Sequence, residues 1–235
     1  MHGVASRRRS ASVAYAASVA VADIERVSAV LFDFAGVITD DPFRTMGAAA
    51  TGFGIDPKEF AAIAVGHGDY GAGDHPWHRL ERGEIELEEF NQRTDELART
   101  RGHDGFPPLP VELILSGAMV VRPAMLELLA DLRSAGIATA IVTNNVRALG
   151  AWRQLADWDE LVDVVIDSCE VGMRKPEPRI FHHACAELGV QPADAVFLDD
   201  MDANVEGAET VGLNAMLVSD PVVAIAEVRR ITGTS

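Results

Sequence analysis

Short apolar runs alternate with helical periodicity along most of this chain. "AVLFDF" (29–34), "IATAIVT" (137–143), "VDVVID" (162–167), "AVFLDD" (195–200) and "NAMLVS" (214–219) are brief and rich in Val, Ile and Ala. Runs of this kind suit parallel strands buried on both faces. Between them the period changes. In "RPAMLELLADLRSAG", Met125, Leu128, Leu129 and Leu132 share one helical stripe, with Pro123 in the first turn and Gly136 at the stop. In "PRIFHHACAELG", Phe181, Ala184, Cys185 and Leu188 form another stripe, closed by Gly189. Strand–helix alternation predicts an α/β, doubly wound, Rossmann-like parallel sheet.

One stretch breaks the alternation. Residues 43–119 hold no convincing strand but several helical segments, "PKEFAAIAV", "EIELEEFNQRTDELARTR" and "PVELILSG". The Gly/His-rich "GHGDYGAGDHPWHRLERG" reads as a loop dividing them. An insert directly after the first strand predicts an α-helical cap (43–119) over the edge where open α/β sheets bind ligands. The core then comprises 28–42 and 120–235, and residues 1–27 form an N-terminal tail. That tail carries Arg7-Arg8-Arg9, a mildly apolar stretch and Ala20-Val21-Ala22, the outline of a secretory signal. Its apolar part lacks Leu, Ile and Phe, so an Ala/Ser-rich tail or a start codon placed too far upstream are the alternatives. The expectation is a cytoplasmic protein, with export as the alternative if residues 1–22 are a signal.

Composition narrows the function classes. With 48% hydrophobic residues among 235, the chain can bury a sizeable core. A formal net charge of −16 argues against non-specific nucleic-acid binding and anionic membrane surfaces. No apolar stretch reaches a membrane span. Cys169 and Cys185 are too few for a disulfide framework or a metal knuckle. A homodimer is only the commonest oligomer.

Candidate chemistry gathers at strand ends. Asp33, Thr143, Asp199 and Asp200 each close an apolar run, so a parallel sheet brings them together. One carboxylate there can act as a nucleophile. Several together need a cation, and Mg²⁺, a hard ion content with one or two carboxylates, suits them. Lysine occurs only at Lys58 and Lys175, against 18 arginines. Lys175, in "MRKPEPRIF", offers a compact charge to a nucleophile and an anion. Taken singly, these residues read as caps, turns or surface charges; their shared topology favours chemistry.

Taken in order, "FDFAGVITD", "IVTNN", "GMRKPEP" and "VFLDDMDAN" resemble the four motifs of haloacid dehalogenase-like hydrolases, over about residues 28–219. "SCEVGMRKPEPRIF", "FLDDMDANVEGAETVGL" and "WHRLERGEIELEEF" look most like the N-terminal phosphatase domain of soluble epoxide hydrolases and the related domain of acyl-CoA dehydrogenase family 10. The resemblance implies a Mg²⁺-dependent phosphatase acting on a small phosphorylated metabolite or lipid phosphate. Asp33 would attack phosphorus, Thr143 with the backbone near Asn144 would bind the phosphoryl group, and Lys175 would neutralise its charge. Asp33, the backbone carbonyl of Ala35 and Asp200 would hold Mg²⁺, with Asp199 and Asn204 supporting them.

Ala35 departs from the phosphatase pattern, which has an Asp there to protonate the leaving group and activate water. Alanine keeps the carbonyl but transfers no proton, and general acid–base catalysis contributes roughly 10²–10⁴-fold. Three alternatives follow: an impaired phosphate-binding relative, a phosphonatase-like enzyme or a dehalogenase-like one. Phosphonoacetaldehyde hydrolases have alanine there but use a cap lysine, and Lys58 reads as the exposed first turn of a helix. His67, His75 and His78, with Asp69 and Asp74, crowd the cap loop. They are either a surface polar loop or the source of the missing proton.

Overall fold

The computed structural model describes residues 27–40, 52–66, 75–108 and 120–234. Residues 1–26 of the N-terminal tail, the "PVELILSG" segment, His67, Asp69 and Asp74 lie outside the described residues.

Among the described residues, five parallel strands, β1 (Ala29–Phe32), β2 (Ala138–Thr143), β3 (Val164–Asp167), β4 (Ala195–Asp199) and β5 (Asn214–Leu217), align in the order β3-β2-β1-β4-β5. Each lies within a run expected from sequence. β1 is central, and Phe32 sits opposite both Ile141 and Leu198. The chain therefore winds one way from β1 to β2 and β3 and the other way to β4 and β5. The switch falls beside β1, where ligand crevices form in such sheets.

Alternation along the strands explains why the runs are apolar throughout. Val30, Phe32, Ile141, Val196, Leu198 and Met216 face one side. There they meet Met125, Leu128, Leu129 and Leu132 of α4 (Pro123–Ser134) and Ala224, Ile225 and Val228 of α9 (Pro221–Thr232). Trp152 and Trp158 complete this layer around Phe34. Leu31, Ala140, Val142, Ile166 and Phe197 face the other side. They meet Ile180, Phe181, Ala184 and Cys185 of α7 (Pro178–Leu188) and Ala208 of α8 (Asp202–Thr210). A sheet buried on both faces needs no polar alternation. Both free cysteines are buried, as expected of small apolar residues.

Among the described residues, three helices lie between β1 and α4: α1 (Pro57–Val65), α2 (Pro76–Glu81) and α3 (Leu87–Thr100). The Asp56 side chain caps α1 by accepting from the Lys58 and Glu59 amides, so Lys58 occupies an exposed first turn. The sequence reading placed 76–81 in a loop; the structure makes it helical. Pro76 starts the helix, His75 Nδ1 accepts from the Trp77 amide at 3.1 Å, and burial of Trp77 and Leu80 anchors it. Trp77, Leu80, Ile85 and Phe90 pack with Val146 and Leu149, which follow the carboxyl end of β2. Two further short helices, α5 (Trp158–Leu161) and α6 (Ser168–Val171), flank β3. Among the described residues, no helix is long and apolar enough to cross a membrane.

Candidate active site

Asp33 follows the last residue of β1, and its amide donates to the Leu198 carbonyl at 2.8 Å, which holds it beside β4. Its Oδ1 accepts from the Phe34 amide and from Lys175 Nζ, both at 2.6 Å. Lys175 Nζ also reaches Asp199 Oδ2 at 2.7 Å and lies over the Phe197 ring, 5.4 Å from its centroid. The lysine is 1% exposed, a position an ammonium tolerates only when paired. Burial alone would drive its pKa down, but Asp199 and Asp33 outweigh that and hold it above the ordinary lysine value.

Asp199 carries no exposed surface, and all its acceptor positions are used. Oδ1 accepts from the Met201 amide at 2.9 Å and Asn204 Nδ2 at 3.0 Å, while Oδ2 accepts from Lys175 and from Asn204 at 3.1 Å. Asp199 is therefore a support for the ammonium, and Asn204 holds Asp199.

Asp33, Asp199 and Asp200 each place a carboxylate oxygen within 4.8 Å of the others, a spacing one cation can bridge. Asp199 is committed to Lys175, so Asp33 and Asp200 are the residues that would hold such an ion. Gly36 makes room for this approach. Its φ of 91° is left-handed, and a Cβ there would overlap the Asp200 carboxylate. The donor set is all oxygen and suits Mg²⁺. Burial pushes the Asp33 carboxyl up to about 8; Lys175 opposes the rise, and Asp199 and Asp200 add to it. A divalent cation would supply the charge that keeps Asp33 ionised.

Thr143 ends β2, buried and paired in register with Asp167. The next residue, Asn144, spends its side chain on the lysine loop. Its Nδ2 donates to the Lys175 carbonyl at 2.9 Å, and its Oδ1 accepts from the Lys175 amide at 2.8 Å. Asn144 thus fixes Lys175 relative to Thr143. Ala35 and Gly36 are tied back to Thr39, the glycine amide donating to the Thr39 carbonyl at 3.1 Å.

Of the three candidate proton donors in the insert, His75 and His78 are described. His75 Nδ1 is engaged in capping α2. Burial, with Arg174, His75 and Arg82 nearby, lowers His78 to about 4, so it is uncharged at neutral pH.

A buried network went unnoticed in the sequence. Ser168 Oγ accepts from the Asn145 amide at 2.9 Å and donates to the Glu81 carbonyl at 2.6 Å. Asn145 Nδ2 donates to Asp167 at 3.0 Å. Glu81 meets Arg174 Nε at 2.6 Å, 6% and 14% exposed respectively. The sequence places "RLERG" in a loop, so only the fold reveals that Glu81 is buried.

A family model for haloacid dehalogenase-like hydrolases matches residues 27–212, and the chain belongs to that family. It is 31% identical over 211 residues to acyl-CoA dehydrogenase family member 10 of Mus musculus, covering 87% of this chain and 19% of the relative. It is 33% identical over 172 residues to bifunctional epoxide hydrolase 2 of Rattus norvegicus, covering 68% and 31%. It is 34% identical over 135 residues to phosphatase MT3486 of Mycobacterium tuberculosis, covering 57% and 56%. The chain thus spans less than a third of the first two proteins. Among solved structures, the magnesium complex of a family enzyme from Bacteroides thetaiotaomicron aligns with a TM-score of 0.58 at 20% identity. It covers 81% of this chain and 92% of that one, and establishes likeness of fold.

Proposed function

We propose that this hydrolase is a Mg²⁺-dependent phosphatase for a small phosphorylated metabolite or lipid phosphate, with Asp33 as nucleophile. The observation that carries the reading is the convergence of Asp33, Asp200 and the Lys175–Asp199 pair at the ends of adjacent strands. The phosphatase name of the mycobacterial relative points the same way.

Asp33, the Ala35 carbonyl and Asp200 would hold Mg²⁺, which would offset charge on the phosphoryl oxygens and keep Asp33 ionised. The Asp33 carboxylate attacks phosphorus while the ester P–O bond breaks, giving an acyl-phosphate on Asp33 and a free alkoxide or phenoxide. Lys175 and Thr143 stabilise the transferring group. Water then attacks the acyl-phosphate and releases inorganic phosphate, restoring Asp33. The inserted helices, docked beside the end of β2, serve as the cap.

Ala35 supplies no proton to the departing oxygen, so the leaving group's own basicity sets the rate. With Mg²⁺, an aryl phosphate is expected to turn over faster than an alkyl phosphate, and Asp33→Ala to abolish both. Ala35→Asp should raise alkyl phosphate turnover by roughly 10²–10⁴-fold. Equal turnover by the wild type and Asp33→Ala, with activity gained only in Ala35→Asp, overturns the reading.

A further inference from the structure

We infer that Glu81 and Arg174 are positioning residues for Lys175, coupling the ammonium's placement to the seating of the inserted helix α2. Its catalytic consequence rests on the phosphatase reading; the geometry does not.

Lys175 belongs to a segment gripped from several sides. Immediately before it, Arg174 donates to Glu81 at the end of α2, 2.6 Å away in a sheltered setting. Two residues after it, Glu177 accepts from Arg82 at 3.1 Å, the neighbour of Glu81. The Glu81 backbone is held in turn by Ser168 Oγ at 2.6 Å. From the sheet side, the Asn144 amide engages the backbone of Lys175 itself. Behind it, Pro176 rests on Gly207 of α8, where an added Cβ would lie 2.6 Å from the Pro176 carbonyl oxygen.

The four-residue stretch 174–177 is thus bounded by two ion pairs to one short helix. Both pairs cross from the insert to the core, far apart in sequence. Burial raises the Glu81 pKa and Arg174 opposes the rise, so the carboxylate's charge depends on the guanidinium beside it. Lifting α2 would strip Arg174 of its carboxylate and release one wall of the Lys175 loop. The chemistry at Asp33 would then be assembled only when the insert is in place.

The chain's two lysines make this measurable without turnover. Lys58 is exposed and far from the pair in sequence, and serves as the internal reference. Pulse acetylation of the full chain, read by peptide mass spectrometry, gives the ratio of Lys175 to Lys58 modification. In the wild type Lys175 should be strongly protected. Glu81→Ala and Arg174→Ala should raise the ratio by about ten- to hundredfold, the factor corresponding to one lost charge-assisted hydrogen bond. Glu81→Gln, isosteric and neutral, should raise it too and serves if the alanine variant does not fold. The exchange Glu81→Arg with Arg174→Glu should restore protection.

General loosening is distinguished by Leu132→Ala, which opens the core under α4 and should leave the ratio near the wild-type value at matched stability. Unchanged protection in the Glu81 and Arg174 variants, or the same rise in Leu132→Ala, overturns the inference. Failure of the phosphatase reading would appear separately, as turnover indifferent to Asp33→Ala.

Discussion

Asp199→Asn tests whether the Lys175–Asp199 pair is a structural keystone of the site. The substitution is nearly isosteric but removes the charge opposite a lysine that is 1% exposed. Asp199 accepts from three donors: Lys175, Asn204 and the Met201 amide. Asparagine offers one oxygen and one NH₂ group, so in either orientation its NH₂ faces a donor. One buried donor then loses its acceptor, at a cost of roughly 1–3 kcal/mol. Removing one partner of a buried ion pair costs about 3–5 kcal/mol. Asp33 remains as a partner for Lys175, so the lower end, about 3 kcal/mol, is the expected total. At roughly 2–4 °C per kcal/mol for a chain of this size, Tm should fall by about 6–12 °C.

Thermal and urea melts in EDTA at neutral pH measure this. The combined variant Lys175→Met, Asp199→Asn separates the causes, because methionine removes the donor left stranded. It should be more stable than the sum of the single changes implies, by about 1–3 kcal/mol. A loss under about 0.5 kcal/mol in Asp199→Asn, or strict additivity in the pair, would refute the reasoning.

Gly36→Ala should cost more than about 1 kcal/mol, because the residue has a φ of 91° and its new Cβ would displace the Asp200 carboxylate. It should also abolish the rise in Tm on adding Mg²⁺, and retention of the wild-type rise would contradict the cradle. In EDTA, Asp33 titrates near 8 when folded against 3.8 as its ordinary value. Its protonated form contributes stability fully below about pH 4, and this is lost as pH rises through about 8. The wild type should therefore lose stability relative to Asp33→Asn between about pH 4 and 8, and a constant gap would exclude the raised pKa. His78, held to about 4, is neutral above about pH 5. His78→Gln should leave the pH–rate profile above that point unaltered; a vanished limb would show that His78 transfers a proton.

The sheet was readable because burial on both faces leaves unbroken apolar runs, and each run ended near the observed strand end. The same logic placed Asp33, Thr143 and Asp199 at one edge, since parallel strands finish side by side. Lys175 stood out because lysine is scarce in this chain. The rest lacked a pattern. The helix Pro76–Glu81 is short, flanked by Gly and His, and capped by a histidine rather than by Ser, Thr, Asp or Asn. Glu81 and Arg174 look like surface charges in one dimension because their mate is distant in sequence. The resemblance assigns anion binding to the backbone near Asn144; that its side chain serves the backbone of Lys175 is something no local spacing reveals.

The position of β1 bears on how the molecule folds. Its partners begin at Ala138 and Ala195, so the central strand has no local hydrogen-bonding neighbour. Closing either pairing requires ordering a long intervening stretch, which slows folding in proteins of high contact order. Lys175 meets its second carboxylate, Asp199, only once β4 has docked. A nascent chain that ends between Asn145 and Asp199 would thus carry every residue of the first two motifs and still lack Asp199, one of the two carboxylates that hold Lys175.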